Sequence, residues 1–164
     1  MNLKKIIATL SFLLLLNCGY EPIYSKKQIN SNYNFSINII NLIGDNKVNQ
    51  ILKNKLTKNL NKGKKFTELN LNLDSKVVKT ITSKDKKGNP IRFSIKIMIN
   101  LEVFKSEILK GKKNFEEKFE YSNKSNKFDL NKYEKYIKDN LISELTYEII
   151  IYLNSLKWYL KHLK

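Results

Sequence analysis

The sequence predicts an α+β domain: a two-layer sandwich of a four-stranded antiparallel or mixed sheet with two helices on one face, in the order β-α-β-β-β-α. Three observations predict it. First, Ile91, Phe93, Ile95, Ile97, Ile99, Leu101 and Val103 alternate with Arg92, Ser94, Lys96, Met98, Asn100 and Glu102. That period buries one face of a strand and wets the other, as in an antiparallel sheet covered on one side only. Second, two other segments space their apolar residues three or four apart, the period of a helix with one buried stripe. Third, three of the four strand patterns run consecutively between the two helical ones, which argues against a parallel α/β sheet and for helices segregated to one face.

The elements follow in order. Phe35, Ile37 and Ile39 alternate with Ser36 and Asn38, a first strand. Gly44-Asp45-Asn46 then supplies a turn and a helix cap. From Val48 the spacing becomes helical: Val48, Ile51, Leu52, Leu56 and Leu60 share one face, and Lys53, Lys55, Lys58 and Lys62 fill much of the rest. Gly63 is the expected stop. Leu69, Leu71, Leu73, Val77 and Ile81 are in phase for a second strand, and Lys84–Pro90 reads as the hairpin loop into the third. Lys110-Gly111-Lys112 is the expected turn into a fourth strand carrying Phe115, Phe119 and Tyr121. After a polar link, a long helix is expected from about Leu130, with Tyr133, Ile137, Leu141, Leu145, Ile149, Tyr152, Leu156 and Leu160 on its stripe. Its run Ile149–Leu153 is apolar all round, which suits a buried end or contact with a partner.

Composition narrows the function. The 164 residues fit one domain, and 8 Phe, 9 Tyr and one Trp within a 41% hydrophobic chain give it a core, which excludes wholesale disorder. The only cysteine, Cys18, excludes a disulfide framework, a Cys-rich zinc site and a CxxC redox pair. The only histidine, His162, stands near the end of the chain. Neither a carboxylate pair, a Gly-rich phosphate loop nor a Ser/His/Asp set appears, so a non-enzymatic protein without metal or cofactor is expected. Lys plus Arg number 31 against 15 Asp plus Glu, a formal +16. Arg92 is the only arginine, and asparagine is abundant while Ala8 is the only alanine, so many lysines here act as a default polar residue.

The N-terminus sets the compartment. Lys4 and Lys5 precede the apolar stretch Ile6–Leu16, which is too short for the ~20 residues of a spanning helix but right for a signal-peptide core. It ends on Leu15-Leu16-Asn17-Cys18-Gly19, which resembles a bacterial lipobox with the acylated cysteine directly after the cleavage site. Asn17 stands where Gly, Ala or Ser is usual. The expected organisation is a signal peptide over 1–17, a lipidated tether over 18–34 and a domain over 35–164. Cys18 would carry the S-diacylglycerol and N-palmitoyl groups. Gly19 is not the Asp that retains many lipoproteins at the inner membrane, so the outer membrane is the expected address.

Two motifs carry a resemblance. Cys18-Gly-Tyr-Glu-Pro-Ile-Tyr24 is similar to the mature start CGF-x-P-L-Y of the lipopolysaccharide-assembly lipoproteins, LptE, particularly the alphaproteobacterial ones. Lys47-Val-Asn-Gln50-Ile-Leu52-Lys53-Asn54-Lys-Leu56 resembles their R-x-G-Q-x-L-R-N-x-L at the first helix, with Asn49 in place of Gly. The resemblance implies a plug and assembly partner of the large outer-membrane barrel LptD that binds lipopolysaccharide (LPS) on its way to the surface. The partners it implies are LptD, LPS and, through the anchor, the inner leaflet of the outer membrane. Nucleic acid is not among them. An accessory structural lipoprotein of another envelope complex and a lipid-binding periplasmic module are the alternatives.

The residues themselves name two surfaces. Asn70, Asn72, Lys76, Arg92, Lys96 and Lys118 fall on the uncovered sheet face, which suits a polar barrel wall or plain solvent. Lys84, Lys86, Lys87 and Arg92 form the densest basic cluster held by a turn, and are the candidate LPS-binding residues. Arg92 in a chain otherwise restricted to lysine suits bidentate phosphate binding.

Overall fold

The structure, a computed structural model, describes residues 35–60 and 68–162. The signal segment, Cys18, the tether over 18–34, and Gly63 lie outside the described residues. The elements are β1 (Ser36–Gly44), α1 (Asn46–Leu60), β2 (Glu68–Lys84), β3 (Pro90–Lys105), β4 (Ile108–Ser122) and α2 (Lys127–His162). The strands form one sheet in the order β1-β2-β3-β4. β1 runs parallel to β2, and the other two pairs are antiparallel, so the sheet is mixed. The expected α+β order is the observed one.

β1 alternates as its sequence requires, then continues past Ile39 through a bulge to Gly44. There the chain must turn sharply. Gly44 takes φ +95, and a Cβ on it would overlap the Ser75 carbonyl, so only glycine fits the crossing. Asp45 caps α1: its Oδ1 accepts the Lys47 and Val48 amides at 3.0 Å each. Its own amide donates to Ser75 of β2, to the carbonyl and to Oγ, both at 3.1 Å. Asn49, buried, donates from Nδ2 to the Ile43 carbonyl at 2.9 Å and ties the first turn of α1 back to β1.

The apolar stripe of α1 then buries Val48, Leu52, Leu56 and Leu60. They face Leu69, Leu71 and Leu73 of β2 and Ile95, Ile97, Ile99, Leu101 and Val103 of β3, all buried. Ile137, Leu141, Ile142, Leu145, Ile149, Ile150 and Leu153 of α2 complete the layer. Each such side chain contributes about 1.5–3 kcal/mol relative to exposure. Both helices pack on this face and on each other.

The cover is uneven. β1 and α1 end level with Ser75, so they lie over the near half of β2 only. α2 lies along β4 and β3. The far half of β2, residues 76–84, has no neighbouring strand on its outer side among the described residues, and α2 meets it through Glu134, which bonds Lys79. Ile81 and Ile91 keep the core phase yet are 49% and 44% exposed for this reason.

One expected turn is misplaced. The β3–β4 hairpin turns at Ser106 and Glu107, whose φ values of 48 and 67 are those a tight two-residue hairpin demands. Gly111 instead lies inside β4 opposite Val103, at a register shift. A Cβ there would meet the Tyr152 hydroxyl and, at 2.8 Å, Leu156 Cδ1 of α2. Gly111 therefore serves the close approach of helix to strand, a role with the same local sequence as a turn. α2 also begins earlier than Leu130, because Asn126 Oδ1 accepts the Phe128 amide at 2.8 Å and caps it.

Candidate functional site: a basic hairpin and an open polar sheet face

Strand register places side chains on faces. Directly paired residues share a face, so Asn72, Glu102 and Lys112 form one row across the open side of the sheet. Lys76, Met98 and Glu116 form another, followed by Val78, Lys96 and Lys118, then Thr80, Ser94 and Glu120. After a shift in β2, Ser83, Arg92 and Ser122 close the series. All six residues assigned to the open face from sequence lie on it.

The face is cross-linked by charge. Lys112 bonds Glu102 at 2.8 Å, Lys96 bonds Glu116 at 2.6 Å and Lys118 bonds Glu120 at 2.7 Å. The hydrogen bond and charge of Lys112 hold Glu102 below the usual carboxylate range. Lys118, with Arg92 adding a smaller share, does the same for Glu120. Arg92 thus faces the open side, with Glu120 moderating its charge. A polar face of this kind can meet a polar wall without leaving apolar surface unpaired.

The hairpin beyond it is built around Asp85. Its Oδ1 accepts the Lys87 and Asn89 amides at 2.8 Å each, and its Oδ2 accepts Asn89 Nδ2 at 3.0 Å. The Asn89 bonds, side chain first, hold the Asp85 carboxyl below its ordinary value. Gly88 takes φ +86, and its amide donates to the Asp85 carbonyl at 3.0 Å. The one acidic side chain of the loop is thereby spent on the turn, and Lys84, Lys86 and Lys87 stand fully to the outside. None of the four candidate residues has a carboxylate within ion-pair distance among the described residues. The structure brings the three lysines together in one loop and places Arg92 just past it, on the open face.

The helix side of this same end holds a cluster that sequence reasoning missed. Tyr121 donates to Glu134 Oε1 at 2.7 Å, and Lys79 bonds the same oxygen at 2.6 Å. Phe93 stacks on Tyr121 with centroids 5.7 Å apart, and Tyr133 meets Tyr121 edge-on at 6.0 Å. Lys79 lies 4.5 Å over the Phe93 ring, and Lys124 4.5 Å over Tyr133. Burial and the Glu134 bond push the Tyr121 hydroxyl well up. Burial also works to raise Glu134, but Lys79 and Tyr121 together outweigh it and hold Glu134 low. The signal was present: Lys79 sits in the core phase of β2 between Val77 and Ile81, and a lysine there calls for a carboxylate partner from the covering layer, which Glu134 supplies.

Among the described residues no helix is long and apolar enough to cross a membrane. No protein-family model matches the sequence, and no curated protein sequence matches it. Solved structures do match in shape. Rare lipoprotein B of Shewanella oneidensis superposes with a TM-score of 0.58 at 12% identity, over 76% of this chain and 100% of that one. A minor lipoprotein of Acinetobacter baumannii matches with a TM-score of 0.51 at 13% identity, over 71% of this chain and 89% of the other. A protein of Caulobacter crescentus described as a lipoprotein matches with a TM-score of 0.50 at 11% identity, over 78% and 92%. The α+β sandwich described above is therefore the fold of these lipoproteins, with the sheet left open on one side.

Proposed function

We propose that this chain is a lipid-anchored protein of the cell envelope, acylated at Cys18 and facing the periplasm from the outer membrane. Its role is to plug and help assemble the LPS-exporting barrel LptD, and to hold LPS in passage through Lys84, Lys86, Lys87 and Arg92. No reaction is catalysed. The observation that carries the reading is the shape match to rare lipoprotein B over that protein's whole length. It accords with the lipobox around Cys18 and with the two sequence motifs that resemble LptE. The site fits the role in two respects. The open sheet face is polar and internally ion-paired, as a surface set against a polar barrel lumen requires. The hairpin offers ammonium and guanidinium donors that suit the phosphates of lipid A, since charge-assisted hydrogen bonds exceed neutral ones in strength.

Extraction of the native membrane in mild detergent tests the partnership. The expected result is a stoichiometric complex with a large β-barrel protein, and a fall in correctly assembled barrel when this chain is depleted. Recovery as a free monomer, with LPS export intact on depletion, would overturn it.

A further inference from the structure

The far half of β2 has an outer edge that no strand pairs among the described residues. The Asp45 amide reaches the Ser75 carbonyl from the β1 side, so the peptide groups of Ser75 face away from β3. Along a strand, alternate residues direct N–H and C=O to the same side. Val77, Lys79 and Ile81 therefore point their backbone groups outward, and Lys76, Val78 and Thr80 point theirs to β3. The alternation holds up to the register shift after Ile81. β1 stops level with Ser75, so these three donors and three acceptors meet no strand among the described residues. Beside them on the helix side lies an apolar shelf of Val77, Ile81, Phe93 and Ile91, which α1 does not reach.

Charge says what fits. Lys76, Lys79 and Lys84 line the edge, and Lys86 and Lys87 extend it into the hairpin. Lys79 is engaged by Glu134, but Lys76 and Lys84 have no carboxylate within ion-pair distance among the described residues. Lysines on an edge deter pairing with a neutral or basic strand. The same lysines favour an acidic one, because opposite charges across a strand pair attract.

The geometry points to this edge as a docking site for an extended acidic segment of a partner protein, added as a strand collinear with β1. Such a segment carries carboxylates on the open-face side, beside Lys76 and Lys84. It carries apolar side chains on the helix side, against Val77 and Ile81. The main-chain bonds supply affinity and the alternation supplies selectivity. No acidic alternating stretch stands in the sequence outside the described residues. Residues 19–34 hold Glu21 against Lys26 and Lys27, and residues 61–67 hold Lys62, Lys64 and Lys65 with no acid. A second copy has Glu116 and Glu120 on β4, but Lys96 and Lys118 already hold both.

A capped peptide alternating Glu and Val, matched in length to residues 76–84, is the probe, and no LPS is present, so the result is independent of the lipid reading. Amide hydrogen exchange by NMR is expected to show Val77, Lys79 and Ile81 exchanging fast in the free protein and protected once the peptide is added. Lys76, Val78 and Thr80 should be slow in both. A Lys/Val peptide should not protect. A Glu/Val peptide N-methylated on its edge-facing amides should lose binding, although its charge is unchanged. The double variant Lys76→Glu, Lys84→Glu should weaken the Glu/Val peptide about tenfold and admit the Lys/Val one. Protection of the three amides in the free protein would mean that a segment of this chain already fills the edge. Protection that grows with protein concentration would mean a second copy does. Either result, or equal binding of the methylated or basic peptide, would overturn the proposal.

Discussion

The near and far halves of the sheet share three strands but not their surroundings. In the near half, β1 and α1 join α2, and side chains such as Leu52, Leu71, Leu101 and Leu145 are shut off completely from solvent. In the far half, three strands carry one helix, and the packing passes to Phe93, Tyr121, Tyr133 and a charged pair. At its outer end the core-phase Ile81 and Ile91 are half exposed, while Ile95 and Ile97, paired with Lys79 and Val77, are still buried. The difference teaches a division of labour. One end holds the domain together, and the other presents the basic loop, the aromatic cluster and a strand edge left unpaired among the described residues.

The largest expected effect lies in the near half. Leu101→Ala removes a wholly buried side chain between sheet and helices, and should lower stability by about 2–5 kcal/mol. Urea unfolding reads this as a lower midpoint at unchanged slope. Ile81→Ala, the same kind of truncation in the far half, should cost under about 1 kcal/mol, because that side chain is already 49% exposed. Similar losses at the two positions would break the comparison.

A smaller effect sharpens it. Tyr121→Phe deletes one donor to Glu134 and should cost about 1 kcal/mol at neutral pH, at the low end for a bond to a charged group because the site is partly solvated. The cost should depend on pH. Folding lowers Glu134 below its ordinary value of 4.5, so its contribution is complete above that value. It is lost as pH falls through the lower folded-state value. The difference between wild type and variant should therefore persist at pH 6 and shrink in acid. A difference that stays constant into acid would show that Tyr121 acts through packing alone.

The near half was legible in the sequence because it obeys two simple periods at once. Leu52, Leu56 and Leu60 repeat at helical spacing, Leu69, Leu71 and Leu73 at strand spacing, and one layer buries both sets. The parallel pairing of β1 with β2 was not legible, since alternation says which face is buried and not which way a neighbour runs. Nor was Gly111. A glycine between lysines has the local look of a turn, and only the passing of Tyr152 and Leu156 gives it another use. The true turn at Ser106 and Glu107 lacks any glycine signal. At the candidate site the basic loop was legible because Lys84–Pro90 announces its own turn. The cluster of Lys79, Tyr121 and Glu134 was not, because its members come from three elements whose meeting depends on where α2 starts.

The proposal turns on the far end being a specific anion-binding site and not part of a diffusely basic surface. The direct measurement is LPS affinity, as a function of salt, for two variants of equal charge loss. One removes Lys86, Lys87 and Arg92 together by alanine substitution. The other does the same to Lys47, Lys53 and Lys58, which lie exposed on α1. Affinity should fall with salt for the wild type, because exposed charges are screened beyond about 8 Å at physiological ionic strength. The hairpin variant should bind about tenfold more weakly or worse, and the α1 variant close to normally. Equal losses in the two variants would contradict the claim and leave only net charge.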